Sequence, residues 1–249
     1  MVVLIGEWPV EAVKEYDGGL LLKTLQTVAI SPQNAMKAVA KYKKAAQKVN
    51  PQLSGAEIEK IVARKIIHRY ARYASMSGGV TALPGVMPGV GTLVGMLGGG
   101  ATDLTICMKL QVDMTMMLAA NYGWDLDDQD ALHMTLLIAV MGGLEKLGVG
   151  GGAPLASKAG VKMLNMYLKG AALQTVKQFL KKFGVNFTRK AAEKAIPGGV
   201  GVALSAGMNY GMTKYVGHQA VRCFTIERVL RSNPDIHESD LPPGLDDEP

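Results

Sequence analysis

Apolar residues recur at three- and four-residue spacing along most of the chain, and nowhere do they alternate with polar ones between hairpin turns. That period predicts helices and no strands. A first helix is predicted over residues 7–28, with Pro9 near its start. Ser31 followed by Pro32 pairs an N-cap with proline at the first helical position, opening a Lys-rich helix that ends at Asn50 and Pro51. Ser54 and Glu57 form a capping box ahead of a third helix. There Ile58, Ile61, Val62, Ile66 and Tyr70 share one side, while Lys60, Arg64, Lys65, Arg69 and Arg72 take the other. Asp103 leads a further helix closed by Gly123, and Asp127 or Asp128 caps the next. A Gly-rich link over 148–153 precedes a helix expected over 156–183. Asn186 or Thr188 opens a short basic helix that stops before Pro197, and a last helix runs on through Arg231 to Asn233 and Pro234.

Two segments break this pattern because they carry no charge. Residues 73–102 contain nine glycines and two prolines; residues 195–213 repeat the theme of Pro-Gly ahead of a glycine-spaced apolar helix. The first is long enough to cross a bilayer, but Pro84-Gly85 and Pro88-Gly89 interrupt it. Helical hairpins turning at Pro84, Gly85, Pro88, Gly89, Pro197 and Gly198 fit better than a straight span. Glycines four apart, such as Gly207 and Gly211, would form a flat face for another backbone. Such a face serves either a buried hairpin core or helix association against lipid.

Charge adds an asymmetry. The chain has a formal charge of +6, yet residues 232–249 hold Asp235, Glu238, Asp240, Asp246, Asp247 and Glu248 without a Lys or Arg, so the remainder stands at +12. A basic body suits an anionic partner. The acidic, Pro-rich tail reads as disordered. Cys107 and Cys223 fall inside apolar helical patterns and are expected as buried thiols of a reducing compartment. The N-terminal stretch lacks a secretory pattern, which makes the cytoplasm the expected location.

Catalytic signatures are missing. There is no G-x-x-x-x-G-K-[ST] loop, no G-x-S-x-G elbow and no H-E-x-x-H, and the four histidines are scattered without paired cysteines, so no metal site or cofactor is expected. The basic helices lack interleaved aromatics, which excludes the usual nucleic-acid binders. Asp103 follows an apolar run, so its carboxylate should cap its helix or meet Arg69 or Lys109. Asp103 and His68 are the candidates for acid–base chemistry.

Three stretches together resemble the EcsC family. They contain G-x-x-x-x-L-P-G ending at Leu83 to Gly85, Ala-x-Asp-Leu at Ala101 to Leu104, and Ala-x-x-Tyr-Gly at Ala119 to Gly123. Ile196 to Gly199 with Asn209, and Ala220 to Phe224, follow in order. The family is bacterial and named after a product of an ABC-transporter operon. The resemblance implies an intracellular helical protein tied to membrane transport or envelope processes, and it brings no catalytic residues with it.

The expectation is therefore one all-α domain over 1–231, a helical bundle with the two Gly/Pro-rich hairpins at its centre, and a disordered acidic tail over 232–249. Its expected function is that of a non-enzymatic peripheral module at the inner face of the plasma membrane. Lys37, Lys41, Lys44, Lys48, Arg64, Lys65 and Arg72 would meet anionic lipid headgroups, and a membrane protein or a second copy of the chain are further partners. The alternatives are a hydrolase-like enzyme with its site near Asp103 and His68, and a soluble bundle binding another protein.

Overall fold

The computed structural model of the chain describes residues 18–76, 102–149, 153–169, 172–193, 200–242 and 245. Among these residues the secondary structure is helical, without strands: α1 (Gly18–Val28), α2 (Pro32–Val49), α3 (Gly55–Met76), α4 (Thr102–Asn121), α5 (Gln129–Lys146), α6 (Lys158–Lys169), α7 (Ala172–Glu193) and α8 (Val200–Ser232). The caps predicted at Ser31, Ser54 and Gly123 hold. The Ser31 hydroxyl accepts from the Asn34 N–H at 3.3 Å, and the Ser54 N–H donates to the Glu57 carboxylate at 2.8 Å while the Glu57 N–H returns to Ser54 Oγ at 3.3 Å. Asp128, one of the two candidates, caps α5. Gly123 ends α4 with φ +81°, a conformation that favours glycine, and lets the Trp124 N–H reach the Ala119 carbonyl at 3.0 Å.

The centre of the molecule is α4. Every residue from Thr105 to Ala119 is buried, because α1, α2, α3, α5, α7 and α8 all pack around this one helix. A helix covered on all sides has no polar face, so its sequence reads as apolar nearly all round. Within α4 Lys109 meets Asp113, one turn further on, and the pair is almost fully buried; the role expected of Asp103, as a cap or as a partner of Arg69 or Lys109, falls on a side chain outside the described residues. The free oxygen of Asp113 accepts the Ile30 N–H at 2.8 Å, which fastens the α1–α2 corner to the core. At the other end of α4, two cations cover its last carbonyls, where the helix dipole is negative. Lys43 donates to Asn121 O at 2.6 Å, and Arg228 donates to Tyr122 O at 2.8 Å and to Glu59 at 3.1 Å.

Three expectations are corrected. The helix predicted over 156–183 is two helices, α6 and α7, and no new helix opens at Asn186 or Thr188, since α7 continues to Glu193. The tail is not disordered over 233–242: Lys158 Nζ donates to Ile236 O at 2.5 Å, the Glu238 carboxylate accepts the Lys158 N–H at 3.0 Å, and Leu241 and Leu245 are buried. Glu238 thereby fills one of the unpaired donors at the start of α6, where negative charge is favoured. The expected flat face at Gly207 and Gly211 has no described neighbour within 4 Å; the close approaches are instead at Gly143 against Phe183, Gly160 against the Pro154 carbonyl, and Gly217 against Ile67. The hairpin turns expected at Pro84, Gly85, Pro88, Gly89, Pro197 and Gly198 lie outside the described residues.

Candidate basic surface and the cleft beside it

On α2 the core side is fixed by Ala35 and Val39, both buried. Lys37, Lys41, Lys44 and Lys48 are all exposed. At about 100° per residue these four fall within a sector of roughly 60° directly opposite the buried side. Lys43, one residue out of register with them, points inward and is spent on Asn121 and on Glu59 at 3.7 Å. No acidic residue occurs between Pro32 and Ala56, so nothing on α2 itself neutralises the stripe.

The exposed side of α3 carries Arg64, His68 and Arg72 at four-residue spacing, with Lys65 beside them. The two helices meet through aromatic rings: the Lys65 ammonium lies 5.4 Å from the centre of the Tyr42 ring, and Arg69 donates to the hydroxyls of Tyr42 and Tyr73. The only carboxylates of α3 sit at its first turns and are occupied, Glu57 by Ser54 and Glu59 by Lys43 and Arg228. Among the described residues Lys37, Lys41, Lys44, Lys48, Lys65 and Arg72 make no ion pair.

The other flank of the α3 stripe faces α8. Here a cleft of about 280 Å³ opens, with Arg64 and His68 on one wall and Tyr210, Lys214 and His218 on the other. Ile67 and Leu245 complete it. The α8 residues are not among those predicted for the site. Their i, i+4, i+8 spacing was visible, but only the fold sets that row against Arg64 and His68.

Of the acid–base candidates, His68 stands exposed on α3, and the Asp103 side chain lies outside the described residues. Among the described residues no cluster of His, Cys, Asp and Glu could hold a metal ion. Burial pushes the Cys223 thiol well above its ordinary range, with Glu145 adding to the shift, so it stays protonated and unreactive. Comparison of the chain with protein-family models, with curated proteins and with solved structures gave no match.

Proposed function

We propose that this protein is a non-enzymatic helical module that docks on an anionic membrane surface through α2 and the exposed side of α3. The observation that carries the reading is the register of Lys37, Lys41, Lys44 and Lys48, four unpaired cations aligned opposite the buried side of one helix. Each Lys or Arg close to an anionic leaflet contributes about 1 kcal/mol. The α2 stripe together with Arg64, Lys65 and Arg72 is thus sufficient for reversible attachment. The mode proposed is contact at the headgroups; among the described residues no helix is long and apolar enough to cross a membrane. The resemblance to the EcsC family, with its link to membrane transport, supports the same reading, and Cys107 and Cys223 as buried thiols accord with the cytoplasmic face.

Flotation with phosphatidylcholine vesicles, with and without phosphatidylglycerol, tests it. Recovery should rise with the anionic lipid and fall to the level of neutral vesicles when Lys37, Lys41, Lys44 and Lys48 are all replaced by Gln, a residue of similar helix propensity. Equal recovery of the two proteins on anionic vesicles would remove the reading.

A further inference from the structure

We infer that Asp246, Asp247 and Glu248 act as a tethered acidic strap for the exposed row of α3, which an anionic membrane surface must displace in order to dock there. The displacement rests on the docking reading above; the contact within the chain does not.

The strap starts from fixed points. Beyond α8 the chain crosses to α6, where Lys158 Nζ donates to the Ile236 carbonyl and Glu238 accepts the Lys158 N–H. It then returns to the seam between α3 and α8. Pro242 lines a cleft there with Ala56 and Lys60 of α3 and with Val221 and Thr225 of α8. Leu245 lines the same cleft and also the next one along the seam, together with Arg64, His68 and Lys214. From Pro242 to Leu245 the chain therefore advances along α3, from the level of Lys60 toward Arg64 and His68. Leu245 is 8% exposed, an apolar anchor seated in the seam.

The residues that follow the anchor are Asp246, Asp247 and Glu248. An extended chain covers at most about 3.6 Å per residue, so three residues reach about 10 Å. Two turns of helix rise about as far, at roughly 5.4 Å each. Arg64, His68 and Arg72 stand on successive turns of α3 and are all exposed. The acids thus have the reach and the charge to lie along this row. The lysine stripe of α2 is on the opposite flank of the row, so the strap covers the α3 part of the basic surface and leaves α2 open.

Tethering sets the strength of the contact. A short tether holds the acids at an effective concentration in the millimolar range, while each exposed ion pair is individually weak and screened by salt. Such a strap yields to a surface that presents many negative charges at once.

Carbodiimide coupling of the full chain in dilute solution tests the contact. The reagent joins a carboxylate to an adjacent amine as an amide and takes up the water released. Linked peptides should connect residues 246–248 with Lys60, Lys65 or Lys214, and their yield should drop in Leu245→Ser. Absence of such links in the parent chain overturns the proposal. Flotation on phosphatidylcholine vesicles containing phosphatidylglycerol tests the displacement. Asp246→Asn, Asp247→Asn and Glu248→Gln together should raise the apparent affinity about threefold. Leu245→Ser, which alters no charge, should shift it the same way, with a melting curve to verify the fold. When Arg64 and Arg72 are both replaced by Gln, the three amides should add little, a comparison that stands without the Leu245 variant. No gain from the amides, or an equal gain in the Gln background, overturns the proposal, the latter because net charge alone would then be acting. Links that form while no variant binds any vesicle leave the strap in place and remove only the docking reading.

Discussion

Burying Lys109 and Asp113 inside α4 strips two ions of their water, a cost that their attraction repays only while both are present. Burial raises the Asp113 carboxyl above its usual range, and Lys109 together with the Ile30 N–H opposes that rise. Asp113→Asn, which strands the buried ammonium, should therefore cost about 3–5 kcal/mol in urea unfolding. The double change Lys109→Met with Asp113→Leu should recover most of it, losing chiefly the bond from Ile30; a double variant as unstable as the single one would contradict this account. Two tyrosines give a second handle. Burial, reinforced by Glu59, pushes Tyr122 up to about 12, and burial with Glu145 does the same for Tyr215. An unfolded chain ionises its tyrosines near about 10. Between those values the folded state holds more protons than the unfolded one, so this contribution to stability is intact below pH about 10 and is lost as pH rises through about 12. Burial pushes the Tyr70 hydroxyl up as well, so phenolate absorbance should show at least these three tyrosines titrating late in the folded protein and normally in denaturant.

Among the elements, the glycines divide by what stands next to them. A Cβ at Gly160 would lie 2.2 Å from the Pro154 carbonyl oxygen, and one at Gly143 would lie 2.4 Å from the Phe183 ring. Backbone cannot step aside as a ring can, so Gly160→Ala should destabilise more than Gly143→Ala, which is expected to cost about 1–3 kcal/mol. Gly207 is exposed within α8, with no described atom in reach of a new methyl. Gly207→Ala should instead stabilise by up to about 1 kcal/mol through helix propensity. Thermal melting of the three variants decides it, and the opposite order would mean that the Gly207 side of α8 is covered. The C-terminal segment behaves as part of the α6 element: Glu238 holds the α6 N-terminus while Leu241 and Leu245 are buried against the body. That is why an acidic, Pro-rich stretch is ordered where its composition argues for disorder.

For the molecule as a whole, charge is distributed by helix. Lys43, Lys109 and Arg228 are each tied to a named acceptor, whereas Lys37, Lys41, Lys44, Lys48, Lys65 and Arg72 on the outer sides of α2 and α3 make no ion pair among the described residues. Exposed charge is screened within about 10 Å at 0.1 M salt and about 3 Å at 1 M. Recovery on anionic vesicles should therefore fall steeply over that range, while the melting temperature, which depends on the buried contacts, should move little. Binding that resists high salt would point to apolar insertion in place of the lysine stripe.

Helical class, the caps at Ser31, Ser54 and Gly123, the breaks at Pro51 and Asn233 and the lysine stripe of α2 were legible because each depends on residues within about a turn of one another. What local pattern could not determine was which helix lies at the centre. The apolar run of α4 is compatible with several environments, and only six surrounding helices make it the core and turn Lys109 toward Asp113. The tail and the meeting of Arg64 and His68 with Lys214 and His218 were decided the same way. Their causes are contacts between residues distant along the chain, and a one-dimensional spacing does not record a contact of that kind.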